Sequence, residues 1–284
     1  MKKILVTGAA GQLGRCIENL APEFPECAFD FLSKFELDLE NHRALQDHFE
    51  NNRYDYCINT GGYTNVEKAE EESDRAFNLN AIAVQALAAH CKKHDVVLIH
   101  PSTDYVFDGN SNEPYDESAS TNPLSTYGQS KLKGEEFIEA SGCNYFIIRT
   151  SWLYSKFNNN FLNTVLRCVK ERKDMTITTA QTGTPTNAND LVKAILHIIN
   201  SDSKQFGLYH FSNKGHATWF DFAERILEYS NQLDTIKLAK TDHYRTFAVR
   251  PNYSVLDTRL FERTFGLKIK DWKQSLEILV KNIH

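Results

Sequence analysis

The first fourteen residues constrain this chain more than any other stretch. Lys2-Lys3-Ile4-Leu5-Val6-Thr7 is a short apolar run of the kind that forms a buried strand, and Gly8-Ala9-Ala10-Gly11-Gln12-Leu13-Gly14 leads directly into an amphipathic run ending near Leu20. Strand, glycine turn and helix in that order form an anion cradle. The glycines let the backbone turn tightly and approach a pyrophosphate, and the free N–H groups of the helix start point at its negative charge.

Such a turn commonly pairs with an acidic residue about 20 positions on, which holds a ribose diol. Here two registers are open. If Cys27-Ala28-Phe29-Asp30-Phe31-Leu32 is the second strand, its end falls on Ser33-Lys34, where a hydroxyl and a cation would accept a ribose 2′-phosphate. If the strand ends earlier, Asp30 is the ribose ligand. The first register favours NADPH, with NADH as the alternative.

Further on, strand-like runs at Tyr56–Asn59, Val96–Ile99 and Asn144–Ile148 alternate with long helix-like stretches such as Arg75–Lys93. This predicts a doubly wound, Rossmann-type parallel sheet covered by helices. The expected division is a dinucleotide-binding domain over residues 1–154, with segments around 175–215 returning to it, and a smaller α/β substrate-binding region over 155–284. In the second part, helices are expected at Asn160–Arg172, Asn189–Asn200, Thr218–Tyr229 and Asp271–Ile283, with Thr218 and Asp271 as N-caps. The loop Asp108–Pro123 lacks periodicity and is a candidate active-site rim.

A net charge of −5 and a pI of about 6.1 argue against a nucleic-acid binder. No apolar run reaches the ~18 residues of a membrane span. Six scattered cysteines without CxxC spacing read as reduced thiols of a cytoplasmic protein. His90, Cys91 and His94 lack a third ligand partner, so they read as a solvated helix end and no metal site is expected. The acidic run Glu67–Asp74 reads as a solvated helix face.

Two clusters carry the chemistry. Pro101-Ser102-Thr103-Asp104-Tyr105-Val106-Phe107-Asp108-Gly109 sets hydroxyls and one acid where a strand's carboxyl end should open onto a ligand. Tyr127 and Lys131 lie four residues apart, on one face if the segment is helical. A free phenol titrates at about 10, and a cation beside it is the obvious means of lowering that value by favouring the phenolate.

The GxxGxxG turn together with these two clusters resembles the extended branch of the short-chain dehydrogenase/reductase superfamily. Within it, STDYVFDG, Tyr127–Lys131, Arg149–Tyr154, Asn159-Asn160-Phe161, Gly183-Thr184-Pro185-Thr186 and Arg250-Pro251-Asn252-Tyr253-Ser254 resemble dTDP-4-dehydrorhamnose reductases nearly end to end. The resemblance implies an NAD(P)H-dependent reduction of the C4 ketone of dTDP-4-dehydro-L-rhamnose. Thr103, Tyr127 and Lys131 would be catalytic. Gly8, Gly11, Gln12, Leu13 and Gly14 would hold the pyrophosphate, Ser33 and Lys34 the ribose phosphate, and Asp38 and Leu39 would border adenine. Gly62, Tyr63 and Thr64 would lie along the cofactor. Asp104 and Trp152 would contact the sugar and Arg250 the nucleotide diphosphate. A homodimer is an option, whereas Arg15 and Cys16 make a magnesium-bridged one doubtful. Reduction of another 4-ketosugar nucleotide, or a non-catalytic NADP-binding regulatory subunit, are the alternatives. Thr103-Asp104-Tyr105 lacks the second carboxylate that a 4,6-dehydratase would need.

Overall fold

The computed structural model describes residues 1–242 and 246–283. In chain order the main elements are β1 (Lys2–Thr7), α1 (Gln12–Leu20), β2 (Cys27–Leu32), α2 (His42–Asn51), β3 (Tyr56–Asn59), α3 (Val66–Ala69), α4 (Ser73–Phe77), α5 (Ala83–Lys93), β4 (Val97–Thr103), α6 (Thr126–Ser141) and β5 (Tyr145–Thr150). They are followed by α7 (Phe161–Lys170), α8 (Ala188–Asn200), α9 (Trp219–Tyr229), α10 (Arg259–Phe265) and α11 (Trp272–Lys281), with a further strand at Gly207–His210 between α8 and α9.

That strand joins β5, β4, β3, β1 and β2, in this spatial order, in a six-stranded sheet whose pairs are all parallel. The order in which the chain adds strands reverses between β1 and β3. Ligands of open α/β sheets bind outside the strand carboxyl ends at such a reversal. The glycine turn after β1 sits at that point.

Period-two alternation splits the strands between two cores. Ile4, Val6, Ile58, Ile99, Phe146 and Ile148 face α1, α8 and α10, whereas Leu5, Cys57, Leu98 and Ile147 face α2, α5 and α6. Helix α8 carries the β-branched residues Val192, Ile195, Ile198 and Ile199, all fully buried. Each buried side chain contributes about 1.5–3 kcal/mol, several times the few tenths lost in helix propensity, so burial decides the conformation.

A third core, centred on Tyr154, Phe222, Ile226, Trp272 and Leu276, holds together α7, α9 and α11. Thr218 and Asp271 are the N-caps of α9 and α11, and Thr218 forms a capping box with Asp221. Among the described residues no helix is long and apolar enough to cross a membrane, and all six cysteines are free.

Candidate active site

The glycine turn is built by close backbone approach. Gly8 has φ +65°, and a Cβ on it would lie 2.5 Å from the Gly61 nitrogen; one on Gly14 would lie 2.6 Å from Ala9 Cα. Gly11 is the N-cap of α1, yet no side chain caps that helix and no acid occupies its first turn. Its first N–H groups therefore remain available to a ligand. Beside them, Gln12 Nε2 is buried without a partner. An uncapped helix start and an orphaned amide donor fit a pyrophosphate.

The adenosine end is set by β2. The strand runs to Leu32, whose carbonyl accepts from Ala9 N–H at 3.1 Å, so Ser33 and Lys34 follow immediately at the strand end. Asp30 lies inside the strand and accepts from the Tyr54 hydroxyl, which excludes the alternative register that made it the ribose ligand. Lys34 pairs with Glu40 at 3.1 Å and Asp38 at 3.7 Å. Leu39 is buried against Gly61, and Thr64 is exposed.

On the other side of the reversal, β4 ends at Thr103. Its hydroxyl accepts from Tyr105 N–H at 3.1 Å, donates to Asp104 Oδ1 at 3.2 Å and lies near the Tyr127 phenol. Asp104 is buried, and desolvation pushes its carboxyl up to about 6 although Ser254 and Thr103 oppose the shift. Tyr127 opens α6 and meets Tyr105 edge to face at 5.7 Å.

Lys131, one turn further, is also buried. Its Nζ donates to the Pro101 carbonyl at 2.8 Å and lies 3.1 Å from His100 Nε2. This corrects the expectation of a cation lowering the phenol: burial raises Tyr127 above its ordinary value, and Lys131 is absent from the charges acting on it. Burial likewise lowers Lys131, to about 8.

Arg250 reaches the site from the C-terminal part. Nη1 donates to the Tyr105 hydroxyl at 3.0 Å, Nη2 to Glu67 Oε1 at 2.6 Å, and Nε is buried without a partner. Pro251 and Asn252 close on Gly109, so the Asp108–Pro123 loop and the Arg250 segment form one rim. Trp152 has φ +43° and stacks on Trp219 at 3.6 Å with 6° between planes, its ring filling the space a Cβ of Gly183 would need.

The acidic run is more than a solvated face. Glu67 binds Arg250, Glu72 accepts from the Tyr63 hydroxyl at 3.0 Å, and Glu70 accepts both the Thr126 N–H and its hydroxyl, at 2.8 and 2.9 Å. Glu70 and the N-cap Ser125 thus fix the start of the helix that carries Tyr127. A single π turn, Asn78–Ile82, supplies another clamp: buried Asn80 binds both backbone groups of Tyr63 and the Ser130 hydroxyl, holding the segment after β3 against α6. His90 stacks on Phe49 and His94 meets the same ring at a tilt, both half-buried, and among the described residues no cluster of His, Cys, Asp or Glu could hold a metal ion.

The RmlD substrate binding domain family matches residues 1–284. The chain is 33% identical to a dTDP-4-dehydrorhamnose reductase of Aggregatibacter actinomycetemcomitans, with 98% of each covered, and 34% identical to that of Escherichia coli K12, with 99% of this chain and 97% of the relative covered. A crystal structure of dTDP-4-dehydrorhamnose reductase from Bacillus anthracis in complex with NADP is similar over 99% of both chains, at 34% identity and a TM-score of 0.94. With a family model matching throughout, relatives covered over nearly their full length and a matching fold, the chain belongs to the dTDP-4-dehydrorhamnose reductase family.

Proposed function

We propose that this protein reduces the C4 ketone of dTDP-4-dehydro-L-rhamnose with NADPH, yielding dTDP-L-rhamnose, a precursor of cell-surface polysaccharide. The observation that carries the reading is the approach of Thr103, at the carboxyl end of β4, to the Tyr127 phenol, on the sheet edge where the uncapped start of α1 also lies. Bound NADPH supplies the hydride. Gly8, Gly11, Gln12, Leu13 and Gly14 hold its pyrophosphate, Ser33 and Lys34 meet the 2′-phosphate, and Asp38 and Leu39 border adenine. Gly62, Tyr63 and Thr64 lie along it, and Lys131 binds the nicotinamide ribose.

The sugar ketone rests against Thr103 and Tyr127. As charge builds on its oxygen, Tyr127 donates the phenolic proton to it and Thr103 hydrogen-bonds the same region. Burial keeps Tyr127 protonated across the working pH range, as a proton donor must be. Asp104 and Trp152 contact the sugar. Arg250 meets the diphosphate, for which a planar guanidinium is suited. The half built on the parallel sheet binds the dinucleotide, and the segments gathered around α7, α9 and α11 bind the sugar nucleotide.

A product-resolved assay with several 4-ketosugar nucleotides and both NADPH and NADH tests this reading. Steady NADPH oxidation with the rhamnose precursor, forming the L-rhamno product, is expected. Faster turnover of a different ketosugar would reassign the substrate. Tight NADP binding without turnover of any ketosugar would overturn the enzymatic reading in favour of a regulatory subunit.

A further inference from the structure

A polar rung crosses three neighbouring strands, from the carboxyl ends of β1 and β3 to the middle of β4. Thr7 pairs in register with Asn59 between β1 and β3, and His100 follows Ile99, the β4 partner of Ile58. All three side chains are buried. Thr7 Oγ1 donates to Asn59 Oδ1 at 2.7 Å, Asn59 Nδ2 lies 3.1 Å from His100 Nδ1, and His100 Nε2 lies 3.1 Å from Lys131 Nζ.

One backbone group fixes the direction of the protons along this rung. The Gly61 N–H can only donate, and it does so to Asn59 Oδ1 at 3.2 Å. Turning the amide over would set Nδ2 against that N–H, so Nδ2 must face His100 as a donor. His100 Nδ1 therefore accepts, and the ring hydrogen sits on Nε2. Burial, reinforced by Lys131, holds His100 far below the ordinary imidazole range, so the ring is neutral and has only this N–H. It points at the Lys131 nitrogen, and only an unprotonated amine offers a lone pair there. Burial already favours the amine. Glu135 on the next turn of α6 opposes this, yet its carboxylate is bound by Arg149 of β5.

We propose that Asn59 and His100 are positioning residues that hold Lys131 by its lone pair as a free amine, and that dinucleotide binding draws the amine off His100 and lets it take up a proton from solvent. Drawn off His100, the ammonium so formed can favour a phenolate on Tyr127, an influence Lys131 does not exert at rest. The charge that assists the proton donor thus arises only once the hydride source is in place. The purpose of the device rests on the reductase reading; its resting state can be measured with nothing bound.

Nitrogen-15 NMR of the histidines and carbon-13 NMR of the lysines, on the protein without dinucleotide, provide the first test. The expected result is a Lys131 titration near 8 rather than 10.5 and, above that titration, an Nε2–H tautomer for His100. Asn59→Asp presents an acceptor to Nδ1 and should reverse the tautomer, raising Lys131 by roughly one unit or more. Calorimetry of NADPH binding at pH 8.5 in buffers of differing ionisation heat should show uptake of roughly one proton per chain, lost in Lys131→Met. An Nδ1–H tautomer in the unmodified protein at pH 9, a lysine charged up to pH 10, or proton uptake unchanged in Lys131→Met would each overturn the proposal. Should Asn59→Asp not fold, the spectra of the unmodified protein still decide. Absence of turnover with every ketosugar would count against the reductase reading and leave these measurements intact.

Discussion

Glu67 and Arg250 are 183 residues apart in the chain and 2.6 Å apart in the structure. The second oxygen of Glu67 accepts the N–H groups of Phe247 at 2.8 Å and Ala248 at 3.3 Å, so one carboxylate orients both the guanidinium and the backbone that carries it. Arg250→Ala should raise KM for the nucleotide sugar roughly ten- to hundredfold, matching the ~1.5–3 kcal/mol of a hydrogen bond to a charged group, with a smaller change in kcat. Glu67→Gln should raise KM by less, since the amide still orients the segment. Steady-state kinetics on both variants check this; an unchanged KM in Arg250→Ala would remove the residue from substrate binding.

Tyr127→Phe keeps the ring and its contact with Tyr105 and deletes the proton. Turnover should fall roughly 10²- to 10⁴-fold while the NADPH dissociation constant, followed by fluorescence, stays nearly constant. Near-normal kcat would assign the proton to another donor.

Asp104 links the site to pH. Its carboxyl titrates at about 6 in the folded chain against an ordinary 3.8. Between those values the folded state holds the proton more tightly than the unfolded state does, so stability falls as pH rises through the window. The full effect is on the order of 3 kcal/mol. Urea unfolding from pH 3.5 to 7 should show this decline, and Asp104→Asn should flatten it; equal slopes in both proteins would refute the assignment.

The buried ion pair beneath the site should be less forgiving. Arg149 places Nε and Nη2 on the Glu135 carboxylate, with Nη2 to Oε2 at 2.6 Å, and both side chains are nearly inaccessible. Glu135→Gln leaves a buried guanidinium uncompensated and should cost about 3–5 kcal/mol. A melting temperature within a degree or two of the unmodified protein would contradict this.

Gly8→Ala should damage the fold as well as the cofactor site. A left-handed backbone and a 2.5 Å approach to Gly61 together predict a loss of roughly 2–5 kcal/mol, measurable by chemical denaturation.

The parts of this molecule that a reader can find in the chain are those written in local order. Strand, glycine turn and helix occupy consecutive residues, and Tyr127 and Lys131 share one helix, so both were legible. The end of β2 was not: a shift of two residues separates the Asp30 reading from the Ser33-Lys34 reading, and the strand end itself is fixed only by the pairing of β1 with β2. The acidic run looked like a solvated face because its partners, Arg250 and Thr126, come from distant segments. His100 and Asn59 carried no motif at all; their meaning depends on sheet register. The Tyr127 phenol was misread for a related reason, since helical spacing reveals a neighbour but not the burial that outweighs it.

Trp152 lies two residues beyond β5 and Trp219 is the first residue of α9, yet their indoles lie in parallel contact. Aromatic chromophores so arranged couple their excited states. The chain therefore carries its own optical gauge: a paired near-ultraviolet circular dichroism band that should vanish once the exit of the sheet parts from α9, with no dye or label attached.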